Sequence, residues 1–221
     1  MLFRSRNNGN GVYLKELANA IPAEANQSVG ATWADYDKDG FPDLFVPNGT
    51  GYTNSLFHNE GNGRFSKTTG IVSSEGGNSV GSCWGDYDND GDLDVFVVNH
   101  PDKVNLKIEE YIAGRQNGSK YNKDHLYRNE GNNKFVDVTA AAGLSATYGY
   151  GLSVSTADLD NNGYLDIYVA NDYTEPDYLF MNNGDGTFKE GIKEHTSHIS
   201  IFSMGVDIAD LDNNGYEDIM V

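Results

Sequence analysis

The stretch DYDKDGFPD occupies residues 35–43, and the chain returns to it three times: DYDNDGDLD at 86–94, DLDNNGYLD at 158–166 and DLDNNGYED at 210–218. Their starts lie 51, 72 and 52 residues apart. Recurrence at a pitch of about 50 residues marks a repeat architecture, in which each unit buries its apolar face only against its neighbours. The long interval holds an extra polar segment, residues 101–122, which reads as a loop inserted into one repeat.

The flanks recur as well. SVGATWA (28–34) and SVGSCWG (79–85) precede the first two loops, with looser copies at 151–157 and 203–209. LFV (44–46), VFV (95–97), IYV (167–169) and IMV (219–221) follow the loops. These β-branched and aromatic runs predict strands. A second signature completes three of the units: LFHNEGNGRF (56–65), LYRNEGNNKF (126–135) and LFMNNGDGTF (179–188), each an Asn/Gly turn between two short apolar runs. That pattern predicts a hairpin. Each unit therefore holds four strands, the content of one β-propeller blade. The predicted fold is all-β: a propeller of four-stranded blades, each opened by an Asp-rich loop. Helical periodicity is weak, with candidates only near Val104–Ile112 and Val138–Ala142.

The predicted division is an outer half-blade at 1–25, blades at 26–77, 78–147 (with the insertion) and 148–200, and an inner half-blade at 201–221. Two accounts of the half-blades stand. They pair to close a ring, or the chain is an excerpt of a longer propeller; the abrupt last strand, IMV with no capping segment, favours the excerpt.

The loops carry the chemistry. Four carboxylates within nine residues repel, at about 4 kcal/mol for a pair 4 Å apart at an effective dielectric near 20. The first loop offers Lys38 against them and the other three offer no base. Residues 1, 3 and 5 of a tight turn converge on one point, Gly at position 6 allows the bend, and oxygen-only ligands suit Ca²⁺. The expected ligands are Asp35, Asp37, Asp39 and Asp43; Asp86, Asp88, Asp90 and Asp94; Asp158, Asp160, Asn162 and Asp166; and Asp210, Asp212, Asn214 and Asp218. The position-7 carbonyls of Phe41, Asp92, Tyr164 and Tyr216 are expected to add a ligand each. The competing account is a set of metal-free Asx turns, which four-fold recurrence with Asp always at position 9 disfavours. An EF-hand is excluded, because its position-12 Glu is replaced by Val46, Val97, Val169 and Val221.

Composition agrees. The net charge is -18, from 33 acidic and 15 basic residues, which disfavours nucleic acid and anionic membrane as partners. The 14 Tyr and 10 Phe are spread along the chain, against a disordered acidic tail. Four Ca²⁺ would bring the charge to -10. Cys83 is the single cysteine, no apolar run is long enough to span a membrane, and the N-terminus lacks the apolar stretch of a signal peptide.

The Asp-x-Asp-x-Asp/Asn-Gly-x-x-Asp loop running into a Leu/Val/Ile-Phe/Tyr-Val strand resembles the FG-GAP or VCBS repeats of integrin α-subunit propellers. The added LYRNEGNNKF hairpin with the following VDVT (136–139) is most similar to the bacterial proteins related to cartilage acidic protein, of the ASPIC/UnbV type. The resemblance implies a calcium-stabilised propeller, extracellular, periplasmic or at the cell surface, often in adhesion or surface interaction. With all the recurrent chemistry assigned to structural metal, the chain is expected to be a binding or adhesion scaffold for a protein or glycan ligand and not an enzyme. The departures from the pattern are the missing signal peptide and the insertion. The alternative is a propeller domain of a glycan-acting exported enzyme, with its site at the insertion around Lys107, Glu109, Glu110, Tyr111 and Arg115.

Other chemical residues align with unlike partners in sister repeats. Cys83 falls where Thr32 and Ser155 stand, and His58 where Arg128 and Met181 stand, so His58 reads as a variable turn neighbour. His195 and His198 have no third ligand nearby in sequence.

Overall fold

The computed structural model describes residues 4–16, 21, 26–74, 76–101, 107–117, 123–145, 147–173, 175–200 and 202–221. The chain opens with an antiparallel hairpin, β1 (Arg4–Asn7) and β2 (Tyr13–Glu16). The first four-stranded sheet follows: β3 (Thr32–Ala34), β4 (Asp43–Val46), β6 (Ser55–Asn59) and β7 (Phe65–Lys67). A short side ladder joins β5 (Tyr52–Thr53) to β8 (Gly76–Gly77), and α1 (Ile71–Ser74) lies between them in sequence.

The second sheet is β9 (Ser79–Gly85), β10 (Asp94–Asn99), β11 (His125–Asn129) and β12 (Phe135–Asp137), with α2 (Ile108–Asn117) inside the insertion. The third is β13 (Tyr150–Ala157), β14 (Asp166–Asp172), β15 (Tyr178–Asn182) and β16 (Phe188–Glu190), followed by α3 (Ile192–His195). β17 (Asp207–Ala209) and β18 (Asp218–Met220) form a last pair. All pairings are antiparallel, in the order of a blade.

The sheets stack face to face. The innermost strands follow one another, β3 beside β9, β9 beside β13 and β13 beside β17. Small side chains let them approach: Thr32 Oγ1 and Ser82 Oγ meet at 2.9 Å, and the Trp84 indole N–H donates to Thr32 Oγ1. β10 has a neighbouring sheet on both faces, β4 has the second blade on one face and Ile21 against the other, and all four residues of β4 and all six of β10 are buried. This explains why these strands read as unbroken apolar runs, without the alternation of a half-exposed sheet. Between the first two blades pack Tyr36, Phe45, Leu56, Val95, Val97 and Tyr127; between the second and third, Tyr87, Phe96, Leu126, Ile167, Val169 and Phe180.

The half-blades do not unite. β1–β2 and β17–β18 are separate two-stranded sheets, so among the described residues no composite blade closes a ring. The helical candidates resolve differently. Residues 108–117 are helical, with 104–106 outside the described residues. Val138–Ala142 makes a single turn closed by the Ala142 N–H on the Val138 carbonyl, where α1 and α3 stand in the sister repeats.

Candidate metal centres

The four Asp loops share one backbone path. Position 4 is left-handed in each, at Lys38 (φ 61°), Asn89 (58°), Asn161 (58°) and Asn213 (59°), and Gly at position 6 lies near φ 90°. Asn tolerates the left-handed region better than other non-glycine residues, which accounts for its presence in three of the four. The position-1 carboxylate holds the turn. Asp35, Asp86, Asp158 and Asp210 each accept the position-5 N–H on Oδ1 and the position-6 glycine N–H on Oδ2. Position 5 accepts the N–H of position 7 at Asp39, Asp90, Asn162 and Asn214.

Position 9 ties the first three loops to the hairpin strands. Asp43 takes the N–H of Tyr36 on Oδ2 and that of Asn59 on Oδ1; Asp94 does the same with Tyr87 and Asn129, and Asp166 with Leu159 and Asn182. The hairpin Asn then reaches across blades. Asn129 Nδ2 donates to the Tyr36 carbonyl of the first blade at 2.9 Å, and Asn182 Nδ2 to the Tyr87 carbonyl of the second at 2.8 Å. Neither the role of the hairpin Asn nor its link to position 9 is read from one repeat alone. Their co-occurrence in three units was the available signal.

The carboxylates converge. Oxygens of Asp35, Asp37 and Asp39 lie within 4.8 Å of one another, as do those of Asp86, Asp88 and Asp90. In the third and fourth loops the group is position 1, 3 and 9: Asp158, Asp160, Asp166 and Asp210, Asp212, Asp218. A further group joins Asp37 and Asp43 to His58. Asp94 stands outside the second group. These sets could hold a metal ion.

The electrostatics match crowded like charges. Burial, reinforced by Asp88 and Asp90, pushes Asp94 up to about 7 against the backbone N–H bonds. Burial with the Asp37 charge lifts Asp43 to about 6. Asp88 and Asp166 are also raised, by burial first and by neighbouring aspartates next. Lys38 does not relieve its own loop: its Nζ sits 2.6 Å from Asp92 of the second loop. Asp37 Oδ1 is closed off from solvent and accepts no hydrogen bond, as a ligand oxygen awaiting a cation would be.

The FG-GAP-like repeat family model matches residues 1–46, 48–97, 108–169 and 158–221. The chain belongs to the FG-GAP-like repeat family. Cartilage acidic protein 1 of Homo sapiens is similar to this FG-GAP-like repeat chain, 26% identical over 220 residues that cover 91% of the chain. The protein of the same name from Xenopus tropicalis is 29% identical over 90 residues, 39% of the chain. The chain spans 31% and 13% of those two relatives. Among solved structures, a lectin of Agrocybe aegerita that specifically recognises non-reducing terminal N-acetylglucosamine matches 98% of this chain and 54% of its own. The TM-score is 0.53 at 18% identity, a likeness of fold, and that fold is a β-propeller.

Other polar features of the FG-GAP-like repeat chain are structural or exposed. Burial holds the Cys83 thiol up at about 12, where it meets the Tyr87 hydroxyl at 3.1 Å. His125 Nδ1 lies 3.1 Å from Asp137 Oδ2 in a groove of about 380 Å³. In the insertion, Lys107, Glu109 and Glu110 are exposed at the start of α2, while residues 102–106 and 118–122 and the side chains of Tyr111 and Arg115 lie outside the described residues.

Proposed function

We propose that this chain is a calcium-stabilised propeller scaffold that presents a protein or glycan ligand surface outside the cell. The observation that carries it is the convergence of three carboxylates within 4.8 Å in each of four loops. The one loop lysine serves a neighbouring loop. The ligand set is that of positions 1, 3, 5 and 9 of each loop, with the carbonyls of Phe41, Asp92, Tyr164 and Tyr216 as additions. Ca²⁺ accepts six to eight oxygens in flexible geometry, which suits sets that differ between loops.

When bound, the ion supplies positive charge between the carboxylates. The chain's own residues do the rest: position 1 folds the turn, position 9 anchors it to the hairpin, and the hairpin Asn fastens one blade to the next. The blade boundaries we propose are 26–77, 78–147 and 148–200, with half-blades at 1–25 and 201–221. We assign no catalysis to the chain. Export to the periplasm, cell surface or medium is proposed from the family.

A glycan ligand has specific support. The fold is shared with a lectin, and on the insertion's side the rings of His100, Tyr150 and Tyr173 pack edge to face with Tyr173 exposed. A glycan array with and without residues 101–122 separates this from a protein ligand, and turnover lost with the segment would revive the enzyme. The calcium proposal is tested by melting the chelated protein with and without Ca²⁺. One site at a hundred times its Kd adds about 2.7 kcal/mol. An unchanged melt rejects it.

A further inference from the structure

We propose that His58 converts the first loop into a mixed nitrogen–oxygen site that takes a borderline divalent transition ion of the zinc class in preference to calcium. This rests on the reading that the loops hold cations, though not on which ion fills the other three.

His58 occupies the third place of the hairpin signature, the place of Arg128 and Met181 in the next two blades. Its surroundings there differ in kind. Arg128 Nε lies 4.0 Å from Asp88 Oδ2 with its guanidinium held by Glu130, so the second loop meets a fixed cation. Met181 is buried with Tyr168, Leu179 and Ile192, and turns away from any ligand role. Only in the first blade does this place bring a ligating nitrogen to the loop. His58 Nδ1 stands 3.1 Å from Asp37 Oδ2 and 3.3 Å from Asp43 Oδ1, and Nε2 stands 3.8 Å from Asp39 Oδ2.

Neighbouring ligands on one ion with bonds of about 2.0–2.1 Å lie about 3.0–3.4 Å apart, which matches the Nδ1 distances. A second observation lies in the hydrogen bonding of the loop. In the other three loops the position-3 carboxylate accepts the position-5 N–H: Asp88 from Asp90, Asp160 from Asn162, Asp212 from Asn214. Asp37 has left that role. Its Oδ1 and the His58 Nδ1 are both closed off from solvent and neither is engaged in a hydrogen bond. An imidazole nitrogen and two carboxylates facing one point form a donor set for a single ion. Imidazole strengthens binding of zinc, cobalt and nickel, whereas a hard oxygen-seeking ion gains little from it.

The test uses the tag-free chain in excess Ca²⁺, titrated with Co²⁺ by visible absorption and then with Zn²⁺. One equivalent of Co²⁺ should bind with a ligand-field spectrum and be displaced by one Zn²⁺. His58→Met, which copies the third blade, should weaken that affinity more than about 100-fold, since even outer partners of a metal ligand are worth 10–100-fold. Calcium stoichiometry should stay as it was. His58→Arg, which copies the second blade, serves if the Met variant fails to fold. Wild-type protein that takes up neither ion, or a variant that holds both as tightly, overturns the proposal. A calcium titration of the chelated protein is read separately: loops that ignore calcium while His58 still governs zinc would sink the calcium reading and leave this one standing.

Discussion

The second and fourth loops follow the same turn with very different burdens. In both, position 1 accepts the N–H groups of positions 5 and 6. Asp94 closes the second loop beneath its hairpin at 2% exposure and is pushed up to about 7. Asp218 closes the fourth, half-buried, and receives only the Leu211 N–H. Asp210 is even lowered, because the Gly215 N–H outweighs its burial. The neighbours decide this. Leu211 and Met220 are 64% and 62% exposed, whereas Tyr87 and Phe96 at the same places are 2% and 0% exposed between blades. Loop shape is thus a local property, and its electrostatic load is imposed by packing.

That contrast breaks if the two loops respond alike to substitution. Asp94→Ala should give the largest effect, since it strands the buried Tyr87 and Asn129 N–H groups. At about 1–3 kcal/mol per orphaned group, we expect a loss of about 2–6 kcal/mol in denaturant unfolding of chelated protein. Asp218→Ala should cost under about 1 kcal/mol in the same measurement. Equal losses would mean that burial does not matter.

The next effect, on the order of a few kcal/mol, concerns pH. Asp124 is 3% exposed and burial pushes it up to about 7, although the Asn99 N–H and Thr147 oppose the rise. The native state therefore holds this proton more tightly than the unfolded chain, whose aspartates titrate near 3.9. The contribution of Asp124 is fully present below about pH 4 and is lost as pH rises through about 7. Calcium should relieve the parallel loss from Asp43 and Asp94 and leave that from Asp124. Asp124→Asn should flatten the residual slope without unfolding the protein, because Asn54 fills the same place in the first blade and accepts the Asn48 N–H. A slope unchanged in that variant would show that other groups carry it.

The smallest effect sharpens the view that blades are fastened through their hairpins. Asn182→Ala removes the donor to the Tyr87 carbonyl and an acceptor of the Gly184 N–H. A loss of about 1–3 kcal/mol is expected, with hydrogen exchange rising in both the second and third blades. Protection lost in the third blade alone would show that the contact does not couple them.

Repeat number, strand identity and Asp turns were legible because their causes are local. The turn bonds span two to five residues, and a buried middle strand announces itself by an unbroken apolar run. His58 was not legible. Comparing copies marked it as variable, and variability at one place in a repeat hides a contact peculiar to one unit. The 14 residues between Asp43 and His58 are bridged only once β4 and β6 pair in register.

The amino-acid order by itself determined four Asp-rich turns between short strands, since short-range hydrogen bonds and glycine torsions suffice to bend them. Only the tertiary structure decided which carboxylates are sealed, which Asn fastens which blade, and where an imidazole meets three acids. Asn129 and Tyr36 are 93 residues apart, and Asn182 and Tyr87 are 95 apart. Contacts of that span depend on how whole sheets stack, and stacking follows from the apolar area they share rather than from any single motif.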